Sequence, residues 1–482
     1  MVVRSDYDYN MANISSLILN GCITGGQPLV RNKVVCIKLS SEYSQNNAWN
    51  INPTSGQFNN NNKYNGNQVR AVVALNKERV RGWVEAFNQC ISNKMTSEQC
   101  TMYRIRDTDL LKLMRECEER GYTPSTSTCF IVTKPKLREI FAANFRDRIV
   151  QHWICIRIEP LFEERFISQG NVSWNCRKGK GTQRAVLALR NDILEVSQNY
   201  SKNAWVGRFD IQSFFMSIDI RILEKKVISF IHDTYKGDDI ELLVYLLVTT
   251  IRHRPQSNCI KRGDVALWNK MPKNKSLFYA EKYRGMPIGN ITSQLLANFY
   301  MSFLDEYMVN ECKTVGAGYE RFVDDFAVVC STKENVLMLR DKASKFLQEE
   351  LNLSMHHNKV YIQDVTKGVY FVGSAIKMNR LYLSNRTVGG MVNTLRKLQE
   401  YMSSITDYDI ENAYEIEHYL SSMNSYFGFM ARKNTYAIKR KAVKKYCPSF
   451  FKYFYIKGRF ESVRLKNKYK VKYHLLKQEN YE

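Results

Sequence analysis

Two acidic spots stand out because of what surrounds them. Arg208-Phe209-Asp210-Ile211-Gln212-Ser213-Phe214-Phe215 sets one carboxylate in a run of apolar, β-forming residues, and Tyr319-Glu320-Arg321-Phe322-Val323-Asp324-Asp325-Phe326-Ala327-Val328-Val329 sets an adjacent pair in another. Neighbouring side chains on a strand point to opposite faces. Presenting both Asp324 and Asp325 on one side therefore needs a tight turn, and the flanking residues predict a β-hairpin with the pair at its tip. Carboxylates brought together repel and raise each other's pKa unless a cation compensates. Hard oxygen ligands of this kind suit Mg²⁺, which takes one or two carboxylates and completes its shell with water and phosphates. Two such ions about 3.5–4 Å apart form a clamp for displacement at phosphorus, with Asp210 and Asp324 as bridging ligands and Asp325 in support. On the residues alone, a structural Asp-Asp turn and a strand-end Asp remain the alternative.

These carboxylates sit in a basic protein. The chain has 482 residues, with 71 Lys and Arg against 47 Asp and Glu and a formal net charge of +24. That length suggests two to four domains with ample chain for a buried core. Apolar residues at 44% and charged residues at 24% are ordinary globular composition and exclude a mostly disordered chain. A charge this large repels itself, so a polyanionic partner is the economical explanation, nucleic acid ahead of an anionic membrane or a merely soluble basic surface. The first residues lack a charged region followed by an uninterrupted apolar one, so no signal peptide is expected. No stretch reaches the ~18 apolar residues of a membrane span, the longest apolar run lying around Leu242–Thr250. Twelve scattered cysteines without a CxxC pair argue against structural zinc and for a reducing compartment, the cytoplasm being the expectation.

The elements that must position the carboxylates fall into zones. Residues 1–120 form an N-terminal extension in which ten asparagines lie between Asn46 and Asn67, a composition that favours turns and a loop or hairpin closed by the strand-like Val69–Leu75. Residues 121–205 are dense in Lys and Arg. Residues 206–378 alternate β-rich runs with helical patterns, as in an α+β core. Residues 379–482 read as helical and then turn basic, with sixteen Lys and Arg against three acidic residues from Arg432 onward.

Further motifs give the pattern a family likeness. Arg-Phe-Val-Asp-Asp resembles the [YF]-x-D-D box of reverse transcriptases, and Asp210–Phe215 resembles the motif carrying their first catalytic aspartate. Gly285-Met286-Pro287-Ile288-Gly289-Asn290-Ile291-Thr292-Ser293-Gln294 resembles the helix-entry motif in the form found in bacterial diversity-generating retroelement polymerases and related defence-associated enzymes. Lys134–Ile140, Phe145–Gln151 and Cys176–Thr182 fit upstream, and Leu353–Lys359, Phe371-Val372-Gly373 and Ser425–Gly428 fit downstream. Together they cover about Lys134–Arg440 in family order.

The resemblance implies an α+β right-hand polymerase with fingers in 121–205, a palm in 206–378 and a helical basic thumb in 379–482. It implies an RNA-directed DNA polymerase using dNTPs and two Mg²⁺ ions, with Mn²⁺ as a substitute. Asp210, Asp324, Asp325 and Lys359 would be catalytic. Asp210, Ile211, Asp324 and Asp325 would hold the metals, and Lys359 would protonate the leaving pyrophosphate. Lys134, Lys136 and Arg138 would clamp the triphosphate. Phe215, at the steric-gate position, would exclude a 2′-hydroxyl, and Ile288 and Gly289 would shape the pocket beside the nascent base pair. Arg146, Arg148, Arg177, Lys178, Lys180, Ser293, Gln294, Lys444 and Lys445 would contact nucleic acid. Asp219 reads as a helix-start carboxylate. Beyond Lys444, cations alternate with aromatics, a pattern that suits base stacking or a helix bundle packing its aromatics inward.

The chain departs from the family in its first ~120 residues, whose Ala48–Asn52 and Asn59–Arg70 runs look like the closing segment of C-type-lectin-like proteins. No RNase H, zinc-ribbon, HNH or integrase pattern is present. The expected partners are an RNA template (a cognate non-coding RNA), its cDNA, and a second copy or accessory protein, with no membrane. A role in antiphage defence leads, mutagenic diversification is the runner-up, and a template-independent polymerase or a non-catalytic RNA-binding scaffold comes behind.

Overall fold

A computed structural model describes residues 77–92, 107–133, 136–378, 380–383, 385–405, 410–431 and 435–470, together with the short strands Val34–Cys36, Asn50–Ile51, Phe58–Asn59 and Ala74–Asn76. These strands form two antiparallel pairs, Val34–Cys36 with Ala74–Asn76 and Asn50–Ile51 with Phe58–Asn59. Most of the Asn-rich segment and its lectin-like runs lie outside the described residues. The chain divides into two compact units, residues 1–164 with 215–299 and residues 165–214 with 300–482.

The first unit is built on apolar helix faces. Trp83 of the helix Lys77–Ile91 stacks on Trp153 of the helix Phe145–Ser168, ring centroids 5.2 Å apart, and Arg157 lies over the Trp153 ring while pairing with Asp239. The basic stretch expected to carry the fingers folds as the antiparallel hairpin Ser127–Val132 and Arg138–Ala142, with Cys259–Arg262 added in parallel on its other side. Glu139 is buried in that hairpin, where its carboxylate accepts from the Ser276 hydroxyl and the Leu277 N–H. Asp219 caps the helix Ile220–Thr234 by accepting from the Arg221 N–H, as its place before an apolar helix predicts.

The second unit holds a four-stranded antiparallel sheet in the order Tyr361–Asp364, Trp205–Phe209, Asp325–Cys330, Gly318–Phe322. Phe326–Cys330 is buried throughout, because helices cover both faces of the sheet. Ala185, Val186, Leu189 and Ile193 of the helix Thr182–Val196 pack with Val206, Ala327 and Val329 on one face. On the other face, a Cβ at Gly207 would come within 2.5 Å of Val336 from the helix Lys333–Leu351, so that close approach requires glycine. The α+β expectation holds. Beyond the sheet, the helices Asn385–Ser404, Ile410–Met430 and Tyr436–Tyr446 and the hairpin Phe454–Lys457 with Ser462–Leu465 enclose a core of their own around Leu395, Met423, Phe427 and Phe450.

Candidate active site

Sheet register brings the sequence-distant carboxylates together. Phe326 pairs with Phe209, so the same register one residue on sets Asp325 beside Asp210, and residues opposite one another in antiparallel pairs share a face. Lys359 comes from the short helical turn His357–Lys359 ahead of the strand Tyr361–Asp364, and its Nζ lies 2.8 Å from Asp210 Oδ2. Backbone bonds steady the position: the Asp210 carbonyl accepts from the His356 N–H at 2.8 Å, and the Gln212 N–H donates to the Ser354 carbonyl at 2.9 Å. Ile211 is buried and bridges to Met355, so of its groups only a backbone carbonyl suits a metal.

Asp325 pairs with Phe322, leaving Val323 and Asp324 as a two-residue hairpin tip, with Val323 at φ +61°. Burial pushes the Asp324 carboxyl up to about 6, helped by Asp325 and then Asp210, while Lys359 pulls it back. The smaller contributions of Asp325 and Asp210 show carboxylates close enough to repel, and such hard oxygen donors are the type that fits a divalent cation such as Mg²⁺. Among the described residues, no group of three or more His, Cys, Asp or Glu side chains is placed to hold a metal ion.

Arg208 is a residue that reading by motif passed over. Its Nε lies 4.0 Å from Asp325 Oδ1 and its Nη1 donates to the Tyr370 carbonyl at 2.6 Å. Its position two residues before Asp210 on the same strand face was the available signal.

The nucleotide-pocket candidates belong to the first unit. Lys136 and Arg138 are exposed at the hairpin, and Lys134 lies outside the described residues. Phe215 is half-buried against Cys129, Phe141, Met216 and Leu277, and Ile288 packs on the same cluster. The Ile288 carbonyl accepts from the Phe141 N–H at 2.8 Å. Gly289 has φ +128°, and a Cβ there would sit 2.6 Å from the Phe141 carbonyl oxygen, so this loop also needs its glycine.

Several residues expected to grip nucleic acid are engaged within the fold instead. Arg177 is buried, donating to the Ser173 carbonyl at 2.5 Å and to Asn171 Oδ1 at 2.8 Å, which Lys180 Nζ also meets at 2.9 Å. These bonds close the loop on itself. Arg146 pairs with Glu116 at 2.5 Å, and Arg148 Nε donates to the Ala143 carbonyl. Ser293 is buried beside a cavity of about 20 Å³ shared with Asp147, Gln151, His253 and Asn290, whereas Gln294 is exposed. Lys178 is exposed, as are Lys444 and Lys445 in the last turn of Tyr436–Tyr446.

Comparison with known proteins follows this geometry. Residues 132–376 match the family described as Reverse transcriptase (RNA-dependent DNA polymerase). Protein YkfC of Escherichia coli (strain K12) is 24% identical over 341 residues, covering 64% of this chain and 81% of that protein. Group II intron-encoded protein LtrA of Lactococcus lactis subsp. cremoris is 20% identical over 389 residues, covering 65% of this chain and 59% of LtrA. Among solved structures, apo telomerase from Candida tropicalis aligns with a TM-score of 0.40 at 11% identity, covering 68% of this chain and 58% of the telomerase. Telomerase from Candida albicans bound to a TWJ fragment of telomeric RNA aligns with a TM-score of 0.39 at 11% identity, covering 71% and 61%.

Proposed function

This chain belongs to the reverse transcriptase family, and on that premise we propose that it copies RNA into DNA from deoxynucleotides, with Asp210, Asp324 and Asp325 holding two Mg²⁺ ions. The observation that carries this reading is Asp210 at the end of its strand, beside Asp325 in register and paired with Lys359, with Asp324 at the adjoining turn. When bound, such ions polarise the attacking 3′-hydroxyl and offset charge on the triphosphate.

The chain's own groups divide the remaining work. Lys359, held at Asp210 by a 2.8 Å ion pair, supplies the proton for the leaving pyrophosphate. Lys136 and Arg138, with Lys134, bind the triphosphate, Arg as a fork and Lys as a point charge. Phe215 presents its ring to the sugar, and Ile288 and Gly289 flank the base pair. Lys178, Gln294, Lys444 and Lys445 hold template and primer, where charge matters more than base identity.

The test is incorporation by the purified chain on a primed RNA template with each nucleotide set. DNA synthesis by wild type and none by Asp324→Ala/Asp325→Ala, with RNA binding retained, supports the reading. Normal synthesis by that variant refutes the metal assignment, and efficient ribonucleotide use removes the role given to Phe215.

Within this activity, the template is a cognate non-coding RNA and the setting is antiphage defence in the cytoplasm, a reading supported by the long extension ahead of the matched region. Ile288 favours a second reading, in which loose copying of adenine yields mutagenised cDNA for diversification. Sequencing the nucleic acid that copurifies separates them: adenine-specific differences between RNA and cDNA mean diversification, and faithful copies mean defence.

A further inference from the structure

A cation sits where an apolar residue would be expected. Arg321, three residues before Asp324, is fully buried. Its Nε and Nη2 each lie 2.6 Å from one oxygen of Asp305, a two-pronged pairing on the buried face of the helix Ile291–Thr314. Asp305 Oδ1 also accepts from the Tyr319 hydroxyl at 2.9 Å. The third guanidinium nitrogen, Nη1, donates to the Val323 carbonyl at 2.9 Å. The Arg321 backbone is held as well, its N–H donating to the Val172 carbonyl and its carbonyl accepting from the Trp174 N–H.

Val323 is the strained member of the catalytic turn. A β-branched residue at φ +61° is an outlier, and such a conformation persists only where the surroundings impose it. We infer that Arg321 is a positioning residue: anchored on Asp305, it holds the Val323 carbonyl, keeps that residue left-handed and so sets the direction of the Asp324 carboxylate. A purely stabilising ion pair would be replaceable by apolar residues of similar volume. The bond from Nη1 to the turn is what such residues cannot supply. Burial keeps Arg321 from substrate, so it acts through Asp324.

Removing Arg321 alone would strand the Asp305 charge. The test variant is therefore Arg321→Met/Asp305→Asn, which removes both charges and leaves an acceptor for Tyr319. Hydrogen–deuterium exchange of the full chain reads the turn directly. In the double variant, amides of residues 322–326 should exchange at least about tenfold faster while residues 327–330 stay protected. Primer extension should lose roughly 10- to 100-fold in kcat with the dNTP KM unchanged, the scale of a small misplacement of a reacting group. Adding Val323→Gly, which accepts the left-handed conformation without strain, should recover most of the loss. Unchanged exchange at 322–326, or a loss of rate that Val323→Gly does not restore, overturns the inference. The rate readout rests on the polymerase reading and the exchange readout does not, so a wild-type chain with no incorporation but a loosened turn in the variant would fail that reading and sustain this one.

Discussion

The Asp324-Asp325 turn and the basic C-terminal stretch are both conspicuous in the sequence because charge appears beside aromatic and apolar residues, yet the fold treats them differently. At the turn, strand register sets Asp325 beside Asp210, which Lys359 meets in an ion pair. In the C-terminal stretch, the same mixture is sorted by burial. Phe450, Tyr453 and Phe454 enter the core, whereas Phe451 and Tyr455 remain exposed. The cations are sorted too. Lys439 is buried, donating to the Phe460 carbonyl at 2.7 Å, and burial lowers its pKa, while Lys444 and Lys445 stay in water. A site set by register depends on long-range pairing, and a surface set by composition depends on which members the fold turns outward.

Measurement tests this contrast, since substitutions at the turn should act on rate and substitutions in the basic C-terminal stretch on affinity. The largest effect belongs to Asp324→Ala, which should reduce primer extension by about 10³-fold or more with template binding intact in a filter assay. Next, Lys359→Met should lower kcat by roughly 10²-fold; a matching loss of template affinity would place Lys359 on the binding side of the comparison. Lys444→Ala/Lys445→Ala should weaken RNA binding several-fold and flatten its salt dependence by roughly 1.4 logarithmic units per decade if both meet a single strand, with kcat at saturation unchanged. An unaltered salt slope would show that these exposed lysines carry no phosphate contact.

A weaker effect concerns stability near the Asp324-Asp325 turn. Burial, then Asp192, pushes the Glu320 carboxyl up to about 9, and burial raises Asp192 to about 7. Native Glu320 therefore keeps a proton that the unfolded chain releases near its ordinary 4.5. Its contribution to stability is fully present below that lower value and lost as pH rises towards the higher one. Glu320→Gln, which retains an acceptor for Trp174 Nε1, should match wild type in thermal unfolding at pH 5 and exceed it by a few degrees at pH 9. Equal melting curves at both values would show that the buried carboxylate is relieved in another way.

Much of the site was legible in the residues. The Asp-Asp hairpin followed from two β-forming flanks, and the Asp219 cap from its place ahead of an apolar helix. The motif ending at Ser293-Gln294, expected to enter a helix, does so: the helix is Ile291–Thr314, buried along Leu296, Phe299, Leu304, Met308 and Cys312. The internal bonds of Arg177 and Lys180 were not legible, because charge says nothing about the acceptor a side chain will find; Asn171 lies close in the folded loop and accepts from both. Arg321 was read only as part of a motif, since its partner Asp305 stands on a separate helix.

The line between the two kinds of knowledge follows the range of the forces involved. Strand alternation, a turn and a helix start depend on backbone sterics and hydrogen bonds among residues a few positions apart, so the order of residues already contains them. The type of each side chain likewise states what chemistry it can perform. Which carboxylates meet, which cations are spent on internal bonds and which way Asp324 is aimed depend on long-range strand pairing and close packing. There a one-residue slip of register would turn every side chain to the opposite face, and only the completed sheet rules that out.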